Sequence, residues 1–346
     1  MKKHFKLTAL TLALLAASTV GVSAADPYKV RVPLSEDENG AMIYILNFDS
    51  GEKIDSTIVA DKVALFKGEI DEPVVGRLML DGQRAGDFIL EPGSIVVDPR
   101  KGMTFGSMLN DRLRELNDSA QAIAKRFAAA TTDQDKEKIY NEYMTYSNSV
   151  MNENLDNPIG YYLFVNQASS MSPEDFNKFI TEHPSLASYK RIAKIKESHS
   201  RKLATAPGNK FTDFEITYNG ETKRLSDYVG KGKYVLADYW ASWCGPCIRQ
   251  VPVLKELLHE YGDKGLEVLG VAVWDEPANT YKAIESHQIP WPCIVNAQTI
   301  PTDLYGINGI PCIILYGPDG TILSRDKQGD ELKADVKAAF EGTLKY

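Results

Sequence analysis

The sequence predicts a multi-domain protein in which a small antiparallel β domain and a helical segment precede a C-terminal α/β domain. Three observations predict it. The chain has 346 residues, more than one compact core usually holds. Its apolar residues recur with period two up to about residue 104 and with helical spacing after that. Beyond the breaker Ala204-Thr205-Ala206-Pro207-Gly208-Asn209, strand-like and helix-like stretches alternate to the C-terminus. With 43% hydrophobic and 25% charged residues the composition is globular, and 25 Gly with 17 Pro are too few for a collagenous or low-complexity chain. The 39 Lys and Arg stand against 47 Asp and Glu, a net charge of −8, and no dense basic run is present, so nucleic acid is not an expected partner. Four cysteines cannot staple a chain of this size, and any chemistry they carry depends on where they stand.

Residues 1–25 read as a secretory signal peptide: Lys2, Lys3 and Lys6, an apolar run from Leu7 to Ala17, then the small residues Val22-Ser23-Ala24-Ala25. The run is shorter than the roughly 20 residues that a spanning helix needs. No cysteine lies near the cleavage region, which argues against a lipoprotein anchor, and no later segment is apolar for long enough to make an integral membrane protein. The mature chain is expected to start near Ala25 or Asp26 in an extracytoplasmic, disulfide-permissive space, the periplasm.

The β domain, residues 26–104, shows period two in Met42, Tyr44 and Leu46 and in Val63, Leu65 and Lys67, with turn signals at Asn39-Gly40, Ser50-Gly51, Asp81-Gly82 and Pro92-Gly93. It holds no cysteine, no histidine and no phosphate-binding glycine loop, and reads as a packing or docking module. In the helical segment, residues 105–205, Leu109, Leu113, Leu116, Ala120, Ile123 and Phe127 repeat at helical spacing, as do Ile139, Tyr143, Tyr146 and Val150. These stripes are expected to be core. Ser172-Pro173-Glu174 supplies an N-cap and a first-turn proline for a further helix.

The last domain, residues 206–346, offers strands at 234–240, 266–274, 312–316 and 321–324 and helices at about 244–261, 278–287 and 331–344. Between the first strand and the first helix stands Asp238-Tyr239-Trp240-Ala241-Ser242-Trp243-Cys244-Gly245-Pro246-Cys247. A C-x-x-C at such a junction carries redox chemistry, because the unpaired N–H groups and the positive end of the helix stabilise a Cys244 thiolate. Two intervening residues bring Cys247 one turn inside, close enough to close a small ring. A zinc site would need a second ligand pair, and Cys293, Cys312, His259 and His287 show no such spacing. Asp238 is an acid on a strand that otherwise reads as buried.

Residues 207–346 resemble the thioredoxin-fold domain of the TlpA-like thiol–disulfide oxidoreductases, within the redoxin/AhpC-TSA superfamily. The matching stretches are Ala206-Pro207 with Phe214, Leu225-Ser226-Asp227-Tyr228, Trp240 to Cys247, Pro252, and Gly309-Ile310-Pro311 before Cys312 to Tyr316. The resemblance implies that Cys244 is the nucleophile and Cys247 the resolving thiol, with the Cys244–Cys247 disulfide as the redox centre and no other cofactor or metal. It also implies that Pro311 is cis and faces Cys244, that the Ile310 backbone pairs with a substrate peptide, and that Asp238 takes the Cys247 proton. Trp243, with Gly245 and Pro246, would contact the substrate; Trp240 reads equally as frame or as core. Arg249 and Gln250 are expected to face solvent, and Cys293 and Cys312 to be buried, inert thiols.

The resulting reading is a disulfide reductase, since Gly-Pro between the cysteines matches the reducing thioredoxin loop. Its partners would be envelope proteins carrying disulfides and a membrane thiol that donates electrons. A thiol peroxidase of the same superfamily would need Pro and Thr where Ala237 and Ala241 stand. A non-catalytic binding scaffold would have no use for an intact W-C-G-P-C.

Overall fold

In the computed structural model, which describes residues 26–345, eight strands precede the first long helix. They are β1 (Asp26–Pro33), β2 (Met42–Asn47), β3 (Lys53–Ile58), β4 (Val63–Ile70), β5 (Val74–Leu80), β6 (Gln83–Leu90), β7 (Gly93–Asp98) and β8 (Met103–Phe105). The expected signal peptide, residues 1–25, lies outside the described residues. Two four-stranded sheets form, in the orders β4-β1-β7-β8 and β3-β2-β5-β6, and their inner faces share one core that includes Val30, Ile43, Ile45, Phe66 and Phe88.

The period of two is as predicted, but the buried face is the opposite one. Met42 and Leu65 are 49% and 46% exposed, whereas Ile43, Ile45, Ala64 and Phe66 are buried. Successive side chains of a strand point to opposite faces, and here both sets contain apolar residues, so the alternation alone does not select between them. A second correction concerns direction. β1 and β7 pair in parallel, although the other pairings of these two sheets are antiparallel. The whole second sheet separates the two strands in sequence, so no tight turn obliges them to run in opposite directions.

Helices α1 (Met108–Ala129) and α2 (Asp133–Glu153) follow. Asn110 fixes the first turn of α1 to β6: its Nδ2 donates to the Ile89 carbonyl at 2.6 Å and its Oδ1 accepts from the Ile89 N–H at 3.0 Å. Leu109, Leu113 and Leu116 are buried as expected, but Phe127 at the far end of the same stripe is 42% exposed, so the stripe is core only along its first half. The chain divides into two compact units between Met144 and Thr145, within α2.

In the second unit α3 (Pro158–Ala168), α4 (Pro173–Glu182) and α5 (Lys190–Ala204) come first. The Ser172 hydroxyl accepts from the Asp175 N–H at 3.0 Å and Pro173 begins α4, as the sequence predicts. Helix α3 was not predicted. Its residues are apolar on several sides, with Ile159, Tyr161, Phe164 and Ala168 all buried, and a helix of that kind shows no stripe.

The remainder is a thioredoxin-like fold. A hairpin of β9 (Glu215–Tyr218) and β10 (Glu221–Arg224) precedes β11 (Tyr234–Trp240), α6 (Gly245–Tyr261), β12 (Leu266–Ala272), α7 (Pro277–Ser286), β13 (Cys293–Ile294), α8 (Ile300–Tyr305), β14 (Cys312–Tyr316), β15 (Ile322–Arg325) and α9 (Gly329–Phe340). The central sheet has the order β13-β12-β11-β14-β15, with β11, β12 and β13 parallel and β14 and β15 antiparallel to their neighbours. Separate apolar clusters cover its two faces, one containing Leu236, Trp240, Cys247 and Leu254 and the other Val235, Ala237, Tyr239 and Ile314. Every residue of β11 after Tyr234 is buried, as befits the middle strand of a sheet packed on both sides.

Helix α5 lies directly against the turn after α8. Gly306 has φ +60°, and a Cβ there would stand 2.2 Å from the Ser198 carbonyl oxygen, so only glycine allows this approach.

Candidate active site

Cys244 is the N-cap of α6 and is bonded to Cys247 through a disulfide. Its Sγ accepts a hydrogen bond from the Cys247 N–H at 3.2 Å, one of the first-turn amides that have no partner within the helix. The apolar spacing predicts a helix from about Cys244, and the helix itself begins at Gly245 because Cys244 is its cap. The cap position is the more favourable one for a thiolate, since the free N–H groups converge on it. Both sulfurs are buried, while Gly245 and Pro246 between them are exposed.

Trp243 is 61% exposed, and its indole N–H donates to the Trp274 carbonyl at 3.0 Å. It is therefore an apolar plate held in place beside Cys244. Trp240, three residues earlier, is core: it is 1% exposed.

The loop between them is held by a residue that sequence reasoning missed. Asp275 accepts from the Ser242 N–H at 2.8 Å, from the Ser242 hydroxyl at 2.9 Å and from the Thr280 hydroxyl at 2.8 Å, and it is buried. Its only sequence signal was an acid following the strand that neighbours β11. Asn at this position keeps the shape but turns one acceptor into a donor facing Ser242 or Thr280. Asp275→Asn is expected to lower stability by about 2 kcal/mol, as loss of buried charge-assisted hydrogen bonds does. Urea unfolding monitored by tryptophan fluorescence measures this, and an unchanged midpoint would show that the bonds contribute nothing.

Asp238 stands opposite Gly270 in the β11–β12 register, and Gly270 stands opposite Cys293 in the next pair. A Cβ on Gly270 would lie 2.5 Å from the Cys293 Sγ and 3.1 Å from the Trp240 Nε1, so the absent side chain makes room for both. By strand alternation Asp238 shares its face with Leu236 and Trp240, the face on which Cys247 packs. It is 2% exposed, its Oδ1 has no hydrogen-bond partner, and burial pushes its carboxyl up to about 7. Burial, followed by the Asp238 charge, pushes the Cys293 thiol up to about 12.

The Ile310–Pro311 peptide is cis. Tyr239 pairs with Cys312, so Pro311 comes level with Trp240, at the end of the sheet from which the Cys244 loop leaves. Ile310 and Pro311 are half-buried, and among the described residues no backbone group pairs with Ile310. The preceding Asn308 is braced from the helices: the Ser198 hydroxyl donates to its Oδ1 at 2.9 Å, and its Nδ2 donates to the Ser169 carbonyl at 3.4 Å. Cys312 is a buried free thiol whose Sγ lies 3.1 Å from the Asp326 Oδ1, and burial raises it well above the ordinary range. Gln250 corrects an expectation, because it does not simply face solvent: its Oε1 accepts from the Gly329 N–H at 3.0 Å, at the start of α9. Arg249 is exposed.

Two family models match separate stretches of the chain. Residues 207–325 match the model of the AhpC/TSA family, and residues 28–125 match a domain of unknown function, DUF4369. The thiol–disulfide oxidoreductase ResA of Geobacillus thermodenitrificans is 32% identical over 143 residues, which are 41% of this chain and 80% of the relative. ResA of Geobacillus kaustophilus shows the same identity and coverage. Among solved structures, the thioredoxin domain of a thiol–disulfide oxidoreductase from Bacteroides vulgatus is 29% identical, with 40% of this chain and 99% of that one covered at a TM-score of 0.34.

Proposed function

We propose, for a chain that belongs to the thiol–disulfide oxidoreductase family, that it is an extracytoplasmic disulfide reductase working through Cys244 and Cys247. The observation that carries the reading is the Cys244–Cys247 disulfide at the N-terminus of α6, with the buried Asp238 carboxyl on the same face of the sheet. In the reduced enzyme the Cys244 thiolate attacks one sulfur of a client disulfide. The client S–S bond breaks, one client sulfur leaves as a thiolate, and the other is joined to Cys244. The Cys247 thiol then gives its proton to the Asp238 carboxylate and attacks the Cys244 sulfur. That step expels the second client thiolate and forms the enzyme disulfide, so two electrons have passed to the client. A carboxyl near 7 can hold and release this proton at neutral pH, which an ordinary aspartate near 3.8 does poorly.

Trp243 supplies the apolar contact beside the nucleophile, Gly245 and Pro246 leave the approach open, and Ile310 next to Pro311 offers unpaired backbone to an extended client. The reading places the enzyme in the periplasm because of the signal-like residues 1–25, and no helix among the described residues is long and apolar enough to cross a membrane. Its clients would be envelope proteins carrying disulfides. Each turnover leaves the enzyme oxidised, which calls for a membrane thiol donor.

Equilibration in defined thiol–disulfide buffers, followed by alkylation and mass analysis, tests this. The expected result is one couple, Cys244–Cys247, near the thioredoxin value of about −270 mV, with Cys293 and Cys312 unlabelled until the protein is unfolded. A couple near about −120 mV would make the protein an oxidant and overturn the reductase direction.

A further inference from the structure

A groove of about 420 Å³ opens beside Pro311. One wall comes from outside the thioredoxin-like fold: Asn166 on α3, and Ser169 and Ser170 just after it, all exposed. Gly309, Gln328, Lys202, Arg325 and Asp326 also line it. Within it the Lys202 Nζ lies 3.1 Å from the Asp326 Oδ2. Arg325 is 9% exposed, and its Nε, 3.3 Å from the same carboxylate oxygen, makes no hydrogen bond.

The walls are fixed relative to each other. Ser198 and the Ser169 carbonyl hold Asn308, the Arg325 Nη1 donates to the Thr205 Oγ1 at 2.7 Å, and Gly306 admits α5 at backbone contact. The groove combines amides, hydroxyls and charges with the apolar Ile307 and Pro311, so it is not built for a wholly apolar ligand. It does match a polypeptide backbone, which has both donors and acceptors along its length. It also begins where the unpaired backbone of Ile310 ends.

We propose that this groove receives the extended stretch of client polypeptide beside the reacting cysteine, and that Asn166 and Ser170 determine which clients are accepted. The proposal rests on the activity proposed above and names the part of the chain that selects its substrates. A client running along Ile310 continues into the groove that Asn166, Ser170 and Gln328 line. Small disulfides that end at the Cys244 sulfur never reach it.

The test compares insulin with bis(2-hydroxyethyl) disulfide, using the full chain. In the double variant Asn166→Trp/Ser170→Trp, kcat/KM for insulin is expected to fall about tenfold while the small disulfide changes by less than about twofold. Asn166→Ala/Ser170→Ala, which removes side chains without filling the groove, is expected to raise KM for insulin and leave kcat unchanged. Lys178→Trp, an exposed site on α4, serves as the control and changes neither rate. Unchanged insulin turnover in both double variants overturns the proposal. So does an equal fall on both substrates, which would mean that the loop before Pro311 has been disturbed. The rates are also measured in the oxidising direction, on reduced insulin. An enzyme that only oxidises defeats the reductase reading, and the groove is then judged by the same comparison in that direction.

Discussion

Cys244→Ser is expected to abolish disulfide exchange, a loss on the order of a thousandfold or more, as when a covalent nucleophile is removed. The helix N-terminus that stabilises a thiolate at Cys244 cannot bring a serine hydroxyl into its ionised form at neutral pH. Cys247→Ser has a different consequence. The first exchange proceeds, the resolving sulfur is absent, and the client remains joined to Cys244. Non-reducing electrophoresis followed by mass analysis is expected to show that adduct with Cys247→Ser and none with Cys244→Ser. An adduct in the Cys244→Ser variant would reverse the assigned roles.

The second large effect concerns stability. Burial raises the Asp238 carboxyl from 3.8 to about 7 in the folded protein. Below pH about 4 the group is neutral whether the chain is folded or unfolded, and folding carries no charge penalty. As the pH rises toward 7 the unfolded chain ionises freely while the folded one resists, and stability falls. Above pH about 7 the loss levels off at about 4 kcal/mol, an order-of-magnitude figure from the size of the shift. Asp238→Asn removes the ionisation and with it this loss. The variant is expected to match the parent near pH 4 and to exceed it by a few kcal/mol near pH 8. All four tryptophans lie between residues 240 and 291, so fluorescence during urea unfolding follows the unit that contains Asp238. An equal advantage at both pH values would mean that the buried group is not titrating. The same substitution should slow the attack of Cys247 on a mixed disulfide, since the proton acceptor is gone.

The parts of this protein that could be read in the sequence are those whose physics is local. A C-x-x-C at the mouth of a helix carries its chemistry within four residues, and Asp238 stood out because every neighbour on its strand is apolar. Ser172-Pro173 capped a helix that formed as expected. What could not be read depends on distant or ambiguous partners. Asp275 binds Ser242 across 33 positions, and Ser198 holds Asn308 across 110, and neither pair has a pattern in the chain. Along β2, apolar residues occupy both faces, so the alternation gave the strand and not its inside. Helix α3 is apolar on several sides and has no stripe to detect.

The brace on Asn308 has a consequence for where the catalytic machinery begins. The breaker near Pro207 looks like the natural place to cut, and the oxidoreductase fold starts just after it. A cut there would sever Thr205 from Arg325, leave Gly306 facing water instead of α5, and free Asn308 from Ser198 and Ser169. The loop leading into Pro311 would then lose supports that the rest of the fold does not replace. Part of what holds the loop before Pro311 therefore comes from residues ahead of the breaker, Ser169 after α3 and Ser198 and Thr205 at α5, in the same compact unit as the redox fold.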